Sequence, residues 1–342
     1  MTTALTLADR GHTVTVHDPE PASGASHHAG GMLAPTAEVV YKQDPLFPLM
    51  RASAEWYPEL INLTAKYSDL PTGYRTDGTL VVARDTADKT HLEELTEYQS
   101  RHSMAVDKLT TREARKLEPA LSPAINGAVS IDGDHQVQPR LFTRALLDAC
   151  RSAGVTFTTD RIDSLDQLGN ADQVVVANGL GAQELVPGLD LRPVYGDVLH
   201  ARVPQHQYPL LTHVVRGFVE DRPVYLIPRE DGTLTVGATT REDGRDQPQV
   251  QGIHQLLRDA IELVPALEEC DFVEATAGAR PGTPDDLPYL GRVGAKLVIS
   301  TGYFRHGILL TALAARCTSE LVEHSEPSID LTACSPLRHD KE

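Results

Sequence analysis

The chain has 342 residues, 41% hydrophobic and 23% charged. That is enough for two ordinary domains or one large one, and it excludes a peptide-sized or disordered protein. Its 31 Lys and Arg against 48 Asp and Glu give a formal charge of −17, which repels phosphate backbones and anionic headgroups, so neither nucleic acid nor a membrane is an expected partner.

Thr3 to Arg10 reads as the end of an amphipathic helix, Gly11 as its stop and Thr13 to His17 as a short β-branched strand. A helix, a Gly turn and a strand ending in Asp18 form the second half of a βαβ dinucleotide-binding unit. A small-residue loop, Pro21 to Leu33, follows, and its Gly and Ser positions let backbone approach a ligand closely. Helical spacing then runs from about Pro45 to Tyr67, a strand from Gly78 to Ala83, and a helix from Thr86, read as its cap, to about Ser103. A short helix opens at Thr111 and closes before Pro119. Leu141 to Ala153 is an amphipathic helix, Val155 to Thr158 a strand, and Gln173 to Gly179 an apolar run suited to a buried parallel strand. Tyr225 to Pro228 and Leu234 to Thr239 flank Glu230-Asp231-Gly232 as a hairpin. A helix from Ile253 to Val264, a strand from Leu297 to Gly302 and a helix from about Gly307 to His324 complete the order, with the tail after Glu326 reading as poorly tied down. No apolar run approaches the roughly 20 residues of a spanning helix, and the start has no leader-like pattern, so a soluble cytoplasmic protein is expected. The four cysteines form no CxxC pair and no HExxH or similar spacing occurs, so no metal is expected.

Four features carry chemistry. Asp18 at a strand end is placed to accept from ribose hydroxyls, or is a solvated loop acid before Pro19. Thr301 to Leu310 puts two glycines and several backbone N–H groups where a strand gives way to a helix, a site for negative charge such as a flavin N1–C2=O edge, or simply a tight turn. Arg280, read as lying in a loop stiffened by Pro281 and Pro284 after a strand from Phe272 to Ala277, offers a fork for a carboxylate. The other reading is an ion pair with Asp285 or Asp286. Tyr225 opens a hairpin strand, where it either points into a pocket or is an ordinary half-buried tyrosine.

In order, the segments Arg10–Val16, Ala29–Pro35, Gly133–Pro139, Val174–Gly179, Pro193–Gly196, Val224–Arg229, Gly237–Thr239, Ala279–Pro284 and Gly302–Leu310 resemble the flavin-dependent glycine oxidases of thiamine biosynthesis. These form the ThiO branch of the D-amino-acid-oxidase-like flavoproteins. The resemblance implies an α/β fold: a Rossmann-like FAD-binding domain, incomplete at its N-terminus, over 1–40, 135–190 and 272–330. An inserted antiparallel-sheet substrate domain would cover 41–134 and 191–271, with a flexible tail over 331–342. It implies non-covalent FAD contacted by Asp18, Pro19, Ala25, Ser26, Gly30, Gly31 and Met32, and by Ile162 at the adenine. Tyr303, Phe304, Arg305, His306, Gly307, Ile308 and Leu309 would wrap the isoalloxazine. Arg280 would hold the substrate carboxylate, with Arg305 beside it and Tyr225 over the pocket.

The activity implied is oxidative deamination of glycine to glyoxylate, ammonia and hydrogen peroxide, by hydride loss from the neutral amine without a side-chain base, with the imine supplied to thiazole formation. The expected partners are a small amine or amino acid and O₂, with homo-oligomers and thiazole-synthesis enzymes as further expectations. Sarcosine or D-amino-acid oxidation, or a flavin-free remnant acting as a binding module, are the alternatives. The family opens on a strand and a Gly-rich turn that this sequence does not contain; the expectation is a misplaced start inside the first helix, or else a truncated product. Thr240 stands where some relatives carry a pocket methionine, which bears on substrate range.

Overall fold

The computed structural model describes residues 1–340. Helix α1 (Thr2–Asp9) leads into β1 (Thr15–His17), followed by β2 (Met32–Leu33), α2 (Phe47–Tyr67), β3 (Thr79–Ala83), α3 (Thr86–Arg101) and β4 (Asp107–Leu109). Then come α4 (Thr111–Leu117), β5 (Gly127–Ile131), β6 (His135–Gln136), α5 (Pro139–Ser152), β7 (Thr156–Thr158), β8 (Val174–Val176) and α6 (Ala182–Leu185). The remainder is β9 (Arg192–Arg202), β10 (Val214–Val219), β11 (Arg222–Pro228), β12 (Thr233–Gly237), α7 (Val250–Leu263), β13 (Asp271–Gly282), β14 (Tyr289–Val293), β15 (Leu297–Thr301) and α8 (Thr311–Val322).

Eight strands form one sheet in the order β13-β9-β12-β11-β10-β3-β5-β4. Every neighbouring pair is antiparallel except β3 and β10, which run parallel. Alternation along its strands gives the sheet two apolar faces. Leu80, Val82, Val215, Leu226, Leu234, Val236 and Leu199 pack against Leu256, Ala260 and Leu263 of α7. The opposite face puts Val81, Val129, Val214 and Ile227 into a second core shared with α2, α5 and α8.

The parallel strands that suit nucleotide binding stand in two separate sheets, β1-β7 and β14-β15-β8. β1 pairs parallel with β7, and β8 parallel with β15. Val14 and Val175 pack into the same small cluster with Leu7, Val298 and Val322, yet β1 and β8 share no ladder among the described residues. The turn into β1 is made at Gly11, whose φ of +93° suits glycine.

Four expectations are corrected. Arg280 lies inside β13: that strand stays paired with β9 through Gly282↔Arg192. Pro281 is tolerated because β13 is an edge strand with one ladder to satisfy. The α3 cap is Asp85, whose carboxylate accepts from Asp88 N–H at 2.9 Å. Helix α8 begins at Thr311, because Gly307 to Leu310 form a turn. The tail is anchored: Cys334 is 1% exposed, and Arg338 pairs with Asp285 at 2.7 Å and donates to the Leu287 and Pro288 carbonyls. Residues 341 and 342 of that tail lie outside the described residues. No described helix is long and apolar enough to cross a membrane.

Candidate active site

One face of the eight-stranded sheet carries a row of functional groups. Arg216 of β10 lies directly across from Tyr225 of β11, which lies across from Gly237 of β12. On the next two strands, Gly196 of β9 pairs with Gly278 of β13, and Arg280 follows two residues on, on the same face. The glycines make room. A Cβ at Gly196 would overlap the Arg280 guanidinium, and one at Gly237 would overlap the Tyr225 hydroxyl. A Cβ at Gly30 would likewise come within 2.7 Å of that hydroxyl. Two side-chain-free backbones therefore approach the phenol closely. Burial pushes its pKa up to about 12 against the nearby Arg280 charge, so it stays a neutral hydroxyl.

Arg280 makes one hydrogen bond to protein, from Nη1 to the Thr239 carbonyl at 3.3 Å, and no ion pair among the described residues. Asp285 is taken by Arg338 and Asp286 by Arg192 at 2.6 Å. The ion-pair reading of Arg280 is thereby removed. Burial lowers its pKa, but a guanidinium retains its charge and needs a partner. The strand beside it is buttressed: Asp197, fully buried, pairs with Arg241 at 2.6 Å, and Thr239 Oγ1 accepts from Asp197 N–H.

The chain leaves β15 through Gly302 (φ +74°), Tyr303 (φ −74°) and Phe304 (φ +47°). This left-, right-, left-handed alternation turns successive N–H groups toward one side as an anion-binding nest. Helix α2 holds the turn from behind. Ser53 Oγ donates to the Leu309 carbonyl at 2.6 Å and accepts from Leu313 N–H, and Tyr57 one turn later donates to the Ile308 carbonyl at 3.1 Å. Arg305 donates from Nη2 to the Glu38 carbonyl at 2.8 Å and from Nε to His306 Nε2 at 3.0 Å.

The loop carrying Gly30, Gly31 and Met32 is tied to the sheet by Arg229. That residue is 5% exposed, and its guanidinium donates to Gln136 Oε1 at 2.7 Å, the Val137 carbonyl at 3.0 Å and the Gly30 carbonyl. Beyond the loop, buried Asp134 accepts from Thr36 and Ala37 N–H at 3.2 and 2.9 Å, presenting Glu38 toward Arg216 at 3.5 Å. Sequence reasoning assigned no role to Glu38, Asp134, Arg216, Arg229 or Ser53. Asp134 and Arg229 sat inside quoted motifs, and Arg216 was discoverable only as a charge in an otherwise apolar strand.

Tyr225, Arg280 and Arg305 come together, and burial lowers the Arg305 pKa with the Arg216 and Arg280 charges acting in the same direction. Asp18 follows directly on β1, and its carboxylate accepts from Glu20 N–H at 3.0 Å. Pro19, Ala25, Ser26 and Ile162 lie on partly or fully exposed loop positions, with Ala25 and Ser26 opening a short 3₁₀ turn. Tyr303 is fixed by Ser300 at 2.8 Å, and Phe304 lies under Arg192. The nest at 302–304, the unpaired Arg280 and the buried unpartnered His28 Nδ1 beside Gly278 suit an anionic ring system and a carboxylate ligand, so the residues present fit FAD.

The profile of the family described as FAD dependent oxidoreductase matches residues 1–321. A bifunctional protein ThiO/ThiG of Synechocystis sp. is 34% identical over 98% of this chain, which spans 51% of that relative's length. A glycine oxidase of Geobacillus kaustophilus is 33% identical over 97% of this chain and 92% of its own length. The crystal structure of glycine oxidase from that organism superposes with a TM-score of 0.89 at 30% identity, covering 99% of this chain and 95% of the other. This chain therefore belongs to the FAD-dependent oxidoreductase family, with FAD as its cofactor.

Proposed function

We propose that the chain oxidises glycine, and small amino acids like it, to the imine, which water converts to glyoxylate and ammonia. The observation that carries this reading is the Arg280 guanidinium, enclosed on a strand with only the Thr239 carbonyl as partner among the described residues. Such a fork is satisfied by a bidentate carboxylate. Arg305 adds a second cation, and Tyr225 closes the pocket with a neutral hydroxyl. The space left by the missing Cβ atoms of Gly30, Gly196 and Gly237 is filled by the Tyr225 phenol and the Arg280 guanidinium, so these two groups bound the room for a substrate side chain. FAD, which the 302–304 turn and the loop carrying Gly30 to Met32 would hold, would supply a hydride acceptor whose electrons O₂ takes up as hydrogen peroxide.

The protein's own contribution is positioning. Arg280 anchors the carboxylate, and the substrate amine reacts in its neutral form, so no side chain is required to remove a proton from Cα. A relative that joins ThiO and ThiG in one chain supports handing the imine to thiazole formation. The test is peroxide release by the FAD-loaded chain with glycine, sarcosine, D-alanine and D-proline. Glycine as the best substrate supports the reading; release with sarcosine or D-alanine but not glycine moves the assignment to those amines, and no release with any of them contradicts it.

A further inference from the structure

Three guanidinium groups, from Arg216, Arg280 and Arg305, lie within one another's electrostatic reach and that of the Glu38 carboxylate. Two of the three are tethered. Arg305 uses Nε on His306 and Nη2 on the Glu38 backbone, which leaves Nη1 without a protein partner among the described residues. Arg216 has Glu38 Oε1 at 3.5 Å, and its Nε is buried and unpartnered. His306 is 1% exposed, and burial beside Arg305 and Arg216 lowers its pKa well below the ordinary value.

The tautomer follows from the donors. A guanidinium Nε–H only donates, so His306 Nε2 accepts and the ring proton sits on Nδ1. That N–H has no hydrogen-bond acceptor among the described residues, and Glu38 Oε2 lies 3.8 Å from Nδ1. Glu38 thus stands between Arg216 and His306 with its side chain, and under Arg305 with its carbonyl. Asp134 accepts from the two preceding backbone N–H groups, of Thr36 and Ala37, which ties down the backbone leading into Glu38.

We infer that His306 and Glu38 are positioning residues that hold Arg305 rigidly, with its Nη1 edge free for the substrate carboxylate beside Arg280. The inference rests on the carboxylate reading given above. Neither residue touches the substrate; each acts through Arg305. Neutral His306 is the acceptor that orients the guanidinium plane, and Glu38 holds the imidazole tautomer electrostatically while balancing Arg216. A guanidinium released from these contacts would keep its charge but lose the fork geometry on which bidentate pairing depends.

The experiment measures glycolate, an unreactive carboxylate, by its perturbation of the flavin absorption spectrum in the FAD-loaded chain. His306→Leu removes the acceptor at similar volume, and His306→Gln restores an oxygen that Arg305 Nε can reach. The expected result is about tenfold weaker glycolate binding for the Leu variant and recovery to within about threefold for the Gln variant, each titration being read against that FAD-loaded variant's own ligand-free spectrum. Equal binding by wild type and His306→Leu overturns the inference and leaves Arg280 as the carboxylate site. A wild-type chain that gives no glycolate perturbation overturns the carboxylate reading itself, and this inference with it. If neither His306 variant folds, Glu38→Gln decides. A Glu38 that only subtracts charge gives tighter or equal glycolate binding on neutralisation and overturns the inference, whereas a positioning Glu38 gives binding about threefold weaker.

Discussion

The two sheet systems of this chain meet their backbone hydrogen-bonding demands very differently. The eight-stranded sheet gives β12, β11, β10 and β3 neighbours on both sides and buries both faces. The parallel strands on the nucleotide side stand as a two-stranded and a three-stranded sheet whose ends approach at Val14 and Val175 without pairing. The groups proposed to face the substrate therefore hang on the better supported half. Arg216, Tyr225 and Arg280 have positions set by ladder register, while the nest at 302–304 depends on side chains reaching across from α2.

Hydrogen exchange tests that contrast most strongly. Amides of Leu226 and Ile227 in β11 should exchange more than about a thousandfold slower than that of Val16 in β1, because a central strand opens only with most of the fold whereas a two-stranded sheet opens locally. Equal protection in the two regions would remove the distinction.

Within the better supported half, Arg280→Lys keeps the charge and loses the fork. KM for glycine should rise by about ten- to a hundredfold with FAD retained, since a hydrogen bond to a charged group contributes about 1.5–3 kcal/mol. An unchanged KM takes Arg280 out of the carboxylate role.

The loop between the two halves is predicted to carry a pH signature. Burial pushes Asp134 up to about 7, opposed by the N–H groups of Ala37 and Thr36. A folded pKa raised above the unfolded value means that the protonated group's contribution is fully present below about 4 and is lost as pH rises to about 7. The urea midpoint of the wild type should carry this falling component between those limits, and Asp134→Asn should lack it. The smallest effect is expected from Tyr225→Phe, which removes one hydroxyl worth about 0.5–1.5 kcal/mol, hence a change in kcat/KM of roughly two- to twelvefold with glycolate binding little altered.

The same contrast explains what could be read from the chain. Strands with strong local patterns, such as 174–176 and the hairpin 225–237, announce themselves by apolar runs and a Gly-containing turn, and they fold as expected. Arg280 was misplaced into a loop because two prolines normally end a strand, whereas an edge strand tolerates Pro281. The tail was misread because its anchors, Asp285 and the Pro288 carbonyl, lie about 50 residues away and local composition carries no sign of them. For Tyr225 and Arg305 a family likeness offers roles that their local sequence does not. Glu38 and Arg216 could not, because their partnership joins positions 178 residues apart and exists only once the loop and the sheet face have met. Ser53 and Tyr57 likewise look like ordinary helix residues until α2 packs beneath the turn.

The most direct test of the account is anaerobic addition of glycine to the FAD-loaded chain while the flavin absorption near its long-wavelength maximum is followed. The account predicts that glycine bleaches the flavin in the wild-type chain. In Arg280→Lys, bleaching should need at least about tenfold more glycine. A flavin that stays oxidised at saturating glycine in the wild-type chain would contradict it.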